Sequence, residues 1–161
     1  MPIAIRPLEK SDIDTVVEFS LRAWAPVFVS FEKVLGERIY RTIYPDWLTS
    51  QAEAVAKTCA DHADTTWVAA DDDGRPVGFA TVIAHGREEA EIEMIAVDPN
   101  HQRRGIAAAL LDFAVSWARF EGFDLLAIGT GGDPGHEPAR IAYEKAGFTP
   151  MPQVRYYRAL R

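Results

Sequence analysis

The stretch from Glu89 to Ile128 constrains the fold more than any other part of the chain. It reads as an alternating strand, Glu89–Val97, closed by Asp98-Pro99-Asn100. An amphipathic helix follows over residues 103–121, and then a short apolar strand over residues 124–128. Helical spacing puts Ile106, Leu110, Phe113 and Trp117 on one ridge, with Ala107, Leu111, Ala114 and Ala118 beside it. Gly122 stands where a helix C-terminus favours a left-handed residue. Two strands joined by a helix of this length form a crossover unit, which predicts that they pair in parallel.

The flanking sequence has a different rhythm. Residues 65–70 and 77–84 alternate with period two and are joined by Asp71-Asp72-Asp73-Gly74-Arg75, a hairpin composition. Residues 2–7 predict a first strand. Ser11, with Asp14 three residues on, predicts the start of a helix carrying Ile13, Val16, Val17, Leu21 and Trp24, with Pro26 ending it. A second helical pattern runs through Phe31, Val34, Leu35, Ile39 and Ile43 until Tyr44-Pro45. A third covers residues 46–60, with Leu48, Ala52, Val55, Ala56 and Cys59 on one stripe. Beyond the crossover lie a glycine-rich loop (129–136), a short helix (138–146) closed by Gly147, and a final strand (153–160). The predicted class is mixed α/β (α+β): a mostly antiparallel sheet flanked by helices, with one parallel pair. No repeat or linker divides the chain, so one domain is expected over residues 1–161.

Charge and cysteine content exclude several functions. Seventeen Lys and Arg against twenty-four Asp and Glu leave a net charge of −7, so no global field attracts nucleic acid or an anionic membrane. The single Cys59 excludes an intrachain disulfide and any zinc site of several thiolates. His62, His85 and His101 lack metal-ligand spacing, and no metal is expected. There is no apolar run of about 20 residues, the length needed to span a bilayer. The N-terminus lacks a signal-peptide core. A cytoplasmic, reduced setting is the expectation.

The chemistry concentrates where the strand ending at Asp98-Pro99 leads into Gln102-Arg103-Arg104-Gly105-Ile106-Ala107. A helix N-terminus presents unpaired N–H groups and a positive dipole end. Gly105 admits close approach, Ala107 and Ala108 leave the amides uncovered, and two arginines add charge. Such a turn suits a pyrophosphate, and it suits equally an ordinary helix start with solvated arginines.

Residues 102–107 also match the Q/R-x-x-G-x-G/A signature of the GNAT N-acetyltransferase superfamily, with Ala107 in place of the commoner Gly. Ala139-Arg140-Ile141-Ala142-Tyr143-Glu144-Lys145-Ala146-Gly147-Phe148 resembles the same family's A-x-x-x-Y-x-x-x-G-F segment, at the expected separation. The resemblance is strong over residues 65–150 and weakens to element order before them.

What the resemblance implies is a GNAT-like sheet whose parallel pair splays apart to form a groove for acetyl-CoA, the acyl donor. The pantetheine arm would bond to the backbone of Ile95, Ala96 and Val97 as an added strand. The pyrophosphate would rest on the amides of Arg103, Arg104, Gly105, Ile106, Ala107 and Ala108. A backbone N–H near Ala96 or Val97 would meet the oxyanion. Tyr143 would protonate the departing thiolate.

A free alkylamine, with a pKa of about 10.4, is almost all ammonium at neutral pH, so a base is also needed. Glu91 and Glu93 are the candidates, on one face if their strand is regular. A bulge would change which of them faces the groove, and a solvent-facing acidic strand side accounts for both without any catalytic role. Relatives often carry Asn at the position of His136. Here His136 keeps that pantetheine contact, serves as an alternative base, or caps the helix. The loop before it is expected to be mobile.

Trp24, Phe28, Phe31, Tyr40, Tyr44 and Trp47 fall in the region that shapes the acceptor pocket in this family. The expected activity is acetyl transfer to a primary amine, on a small molecule or a peptide, by direct attack in a ternary complex. A catalytically silent acyl-CoA-binding module and a transferase of longer acyl groups are the alternatives. A homodimer is compatible with all of these.

Overall fold

The structure, a computed structural model, describes residues 3–161. Five strands form one sheet in the order β1-β2-β3-β4-β5: β1 (Ala4–Pro7), β2 (Thr66–Ala70), β3 (Pro76–His85), β4 (Glu89–Val97) and β5 (Leu125–Ile128). The first four are antiparallel neighbours, and β5 pairs with β4 in parallel. Five α-helices accompany them: α1 (Ile13–Leu35), α2 (Glu37–Ile43), α3 (Trp47–Asp61), α4 (Ile106–Phe120) and α5 (Glu137–Lys145). The mixed class, the meander and the parallel crossover are therefore as the sequence implies.

The helices cover opposite faces of the sheet. On one face Val16 and Phe19 of α1 and Val55 and Cys59 of α3 pack on Val68, Phe79 and Ala96. On the other, Leu111 and Ala114 of α4 meet Trp67, Val82, Ala90 and Ile92, while Ile106 and Leu110 meet Val77, Ala80 and Val97. Gly78 sets how closely α4 approaches. A Cβ there would lie 2.9 Å from Cγ2 of Ile106 and 3.1 Å from Cδ1 of Leu110.

Six expectations are corrected. The predicted strand over residues 2–7 is shorter, and Pro2 lies outside the described residues. Ser11 is not the cap of α1. A single 3₁₀ turn, Lys10–Asp12, precedes the helix, and the Asp12 carboxylate takes the Glu9 amide at 2.8 Å. Pro26 does not end the first helix, which runs through it to Leu35 because Val27, Phe28 and Ser30 beyond it are buried against other elements. The second helical pattern is instead divided at Gly36, whose φ of 79° stops α1. Residues 153–160 form no strand. They keep the alternation, yet no strand pairs with them and they are exposed, so the pattern alone does not make a ladder. Leu48 is also exposed, outside the packed stripe of α3.

Two predictions follow from this packing. Gly78→Val forces α4 away from the sheet, and the urea midpoint should fall by an amount equal to about 1–3 kcal/mol, the usual scale of overpacking. Asp12 is 6% exposed and receives both Arg6 guanidinium nitrogens, at 2.7 and 3.0 Å. The hydrogen bond from Arg6 holds its carboxyl below the usual range against the opposing effect of burial. A depressed pKa stabilises the fold above the unfolded value, about 3.9, and that contribution disappears as pH falls through the folded value. Asp12→Asn should therefore be less stable than the parent at pH 7, with the gap narrowing as pH falls below about 3.9 in paired denaturation curves.

Candidate functional site

The parallel pairing of β4 and β5 is short. It runs from Glu89↔Leu125 to Ile92↔Ile128 and stops. At that point the register between β3 and β4 shifts: Val82 opposes Ile92 and Thr81 opposes Met94, leaving Glu93 as an extra residue on β4. The bulge reverses which face each side chain takes. Ala90 and Ile92 join the α4-side core, and so does Ile95, while Met94 and Ala96 pack on the α1 side. Glu91 and Glu93 therefore do not lie on a regular strand, and the bulge is the case in which the sequence leaves open which of them faces the groove. Glu91 sits within the paired segment, 3.4 Å from Nε2 of His85. Glu93 is exposed at the mouth of the opening.

Beyond the bulge, Ile95, Ala96 and Val97 have β3 on one side and no strand on the other. The strand ends in a polar hub. Asp98, 5% exposed, accepts from Arg22 of α1 at 2.9 Å and from the Asn100 amide at 3.0 Å, with Nδ1 of His101 at 3.6 Å. Burial raises its carboxyl pKa, but the Arg22 and Asn100 hydrogen bonds outweigh this and hold it below the ordinary value. The Asp98 hub fixes the turn that leads to α4.

Arg103 and Arg104 do not open the helix, contrary to expectation. Arg103 (φ 62°) and Gly105 (φ 80°) both take left-handed conformations, and regular helix begins at Ile106. Alternating handedness of this kind makes a concave run of amides. No side chain caps α4 at Gly105, and residues 102–105 are exposed. An uncapped 15-residue helix, a left-handed turn and two free arginines fit a diphosphate group.

Tyr143 on α5 is half-buried and packs against the α4-side core together with Ile95 and Ile128, so it faces the splayed strands. Burial pushes its phenol up to about 12. The phenol is therefore neutral and able to donate throughout the ordinary pH range.

The loop over residues 129–136 is pinned. Ser30 of α1 donates to Asp133 at 2.6 Å and receives the Gly135 amide at 2.9 Å. Arg140 donates to the carbonyls of Gly131 and Asp133, both at 2.7 Å. Nδ1 of His136 lies 2.5 Å from Asp133, and the His136 side chain makes no helix-capping bond. Composition could not reveal this, because the tie comes from a serine more than a hundred residues away. Ser30, Arg22, Asp98 and Asp133 are the site residues that sequence reasoning missed. Asp133 three residues before His136 was the one available signal.

Phe28, Phe31, Tyr40, Tyr44 and Trp47 form one stack, with Phe28–Trp47 at 4.3 Å and Phe31–Tyr44 at 5.4 Å. Trp24 is separate and packs on Phe79.

Residues 34–148 match the model of the acetyltransferase (GNAT) family. The chain belongs to that family. It is 27% identical over 151 residues to an uncharacterized N-acetyltransferase of Methanocaldococcus jannaschii, covering 89% of this chain and 59% of that protein. The chain thus spans about three-fifths of that relative's length. Its fold is shared with a putative GNAT acetyltransferase from Desulfovibrio desulfuricans (TM-score 0.72, 22% identity, 99% of this chain and 93% of the other). It is also shared with the PaiA N-acetyltransferase of Thermoplasma acidophilum, solved in complex with coenzyme A (TM-score 0.70, 18% identity, 92% and 91%).

The left-handed Gly105 gives a direct prediction. Gly105→Val strains the turn by about 1–2 kcal/mol and redirects its amides. Titration calorimetry should show coenzyme A binding weakened at least tenfold, with far-UV circular dichroism unchanged.

Proposed function

We propose that this chain is one N-acetyltransferase domain that moves an acetyl group from acetyl-CoA to a primary amine by direct attack. The observation that carries this reading is the splay after Ile92↔Ile128, flanked by the uncapped start of α4 and by Tyr143. A bound acetyl-CoA supplies an activated thioester.

The chain's own groups do the rest. The open side of Ile95, Ala96 and Val97 bonds the pantetheine arm as a neighbouring strand would, and the amides of residues 103–108 hold the diphosphate. An N–H near Ala96 or Val97 faces the carbonyl oxygen, where charge develops as the amine attacks. Tyr143 gives its phenolic proton to the departing sulfur. Of the two β4 carboxylates, Glu93 lies at the opening, while Glu91 is set back beside His85. His136 stands at the start of α5, on the loop that leaves β5 at the splay.

The acceptor is a small-molecule or peptide amine, and the acidic chain favours encounter with a cationic one. Cys59, buried with its thiol pushed up to about 11, stays protonated and takes no part. Its lone reduced state fits a cytoplasmic setting.

The test is thiol release from acetyl-CoA in the presence of a panel of amines. Release should require an amine, and Tyr143→Phe should lower kcat by about 10²–10⁴-fold while leaving coenzyme A affinity within threefold of the parent. Tight coenzyme A binding with no release on any amine would overturn the enzymatic reading.

A further inference from the structure

We infer that Asp133 and His136 form an oriented base, with Nε2 of His136 accepting the proton that the acceptor amine must lose. This inference rests on the acetyl-transfer reading above and assigns the base, which that reading leaves open among Glu91, Glu93 and His136.

The argument begins with the carboxylate. Asp133 is largely enclosed. Burial raises its pKa, but hydrogen bonds from Ser30 and His136 pull the carboxyl below its ordinary value, so it is ionised. An ionised carboxylate only accepts. The 2.5 Å contact therefore requires the proton on Nδ1 of His136, which leaves the lone pair on Nε2. The other oxygen, Oδ2, is committed to the Ser30 hydroxyl at 2.6 Å and the Gly135 amide at 3.1 Å, so the carboxylate cannot rotate away. The space behind the pair is closed too: a Cβ on Gly131 would lie 2.6 Å from Nδ1 of His136. Asp133 is thus a positioning residue for the imidazole, in the arrangement by which a carboxylate fixes the tautomer and orientation of a basic histidine.

The location suits the task. The imidazole lies 5.5 Å from the ring of Phe31, at the edge of the aromatic stack, and Nε2 makes no hydrogen bond to any described residue. Ser30 and Gly135, which hold Asp133, also line a cleft of about 720 Å³ with Val29, Lys33 and Val34 of α1 and Pro134 of the loop. The surrounding charged and titratable groups are Asp133 on its own loop, Arg140 on α5 with its guanidinium on the Asp133 carbonyl, and Tyr44 after α2. Arg155 and Tyr157 lie beyond Tyr44. By contrast Glu93 is exposed at the bulge with no group to orient it, and Glu91 faces His85.

The step balances. One proton passes from the ammonium to Nε2 of His136, and the freed nitrogen lone pair forms the N–C bond as the carbonyl π bond opens. As the tetrahedral centre collapses, the C–S bond breaks, the sulfur takes the Tyr143 proton and the nitrogen gives its second proton to the Tyr143 phenolate through solvent. His136 then releases its proton to water, the one proton the overall reaction sets free.

The experiment uses His136→Gln, Asp133→Asn and the parent, with three readouts. Coenzyme A titration should be unchanged in both variants. The best amine from the panel should show kcat lowered about 10²–10³-fold in His136→Gln and about tenfold in Asp133→Asn. Both deficits should shrink as pH rises toward the amine's own pKa, near 10.4, where a base is no longer needed. ¹⁵N-histidine NMR of the parent should show one imidazole fixed as the Nδ1–H tautomer, lost in His136→Gln and mixed in Asp133→Asn. A His136→Gln enzyme with parental kcat, a deficit independent of pH, or an Nε2–H tautomer each overturns the assignment. If the parent itself releases no thiol with any amine, the acetyl-transfer reading falls, and with it the assigned step. The tautomer measurement then separately decides the Asp133–His136 geometry.

Discussion

Backbone amides and carbonyls that leave water need partners, and the molecule is organised around a place where partners are withheld. Past Ile92 the peptide groups of β4 are paired with β3 on one side only, because the bulge at Glu93 shifts the strand just as β5 gives way to the loop at Gly129. A few residues further on, the first amides of α4 are left without a side-chain cap. An unpaired strand edge thus leads into an unpaired helix terminus. A ligand with an amide-bearing arm and a diphosphate satisfies both, and few others do.

Such a wedge persists only if its flanks are held apart, and α1 does this. Arg22 ties it to Asp98, at the end of β4, and Ser30 ties it to Asp133, in the loop after β5. The two ties lie eight residues apart, about 12 Å along a helix. Pro26 falls midway between them. Proline in a helix interior costs roughly 3 kcal/mol, and the burial of Val27, Phe28 and Ser30 beyond it keeps α1 helical across the break. Continuous helix through Pro26 is therefore what lets one element brace both sides.

The difference between what the sequence discloses and what it hides follows from the range of the interactions. Helix periodicity, the Asp71–Arg75 hairpin and the crossover are local, and they are legible in the order of residues. The start of α4 is less legible: Gly105 is the one local sign of a left-handed turn, and nothing in the sequence marks Arg103 as left-handed, so the arginines read as helix. Pro26 misled because local preference argues for a stop, while the contacts that override it come from elsewhere. The alternation in residues 153–160 misled in the opposite sense, since it describes a strand without supplying a neighbour. Tyr143 could be found from its motif. Ser30 and Asp133 could not be paired, because nothing near either residue announces the other.

In the proposed reaction an acid on α5 and a base in the turn before it must not neutralise each other. Tyr143 lies within α5, and His136 stands in the 3₁₀ turn that precedes it, seven residues earlier. That spacing allows one group to act at the amine and the other at the sulfur of a single reacting centre between them. Their environments also differ in kind. The phenol is held neutral by apolar burial against the α4-side core, where a charge would be unfavourable. The imidazole is held through Nδ1 by the ionised Asp133 carboxylate, a polar partner. Proton gain at His136 and proton loss at Tyr143 therefore draw on separate surroundings. Because both surroundings are already built into the fold, neither has to form during the reaction.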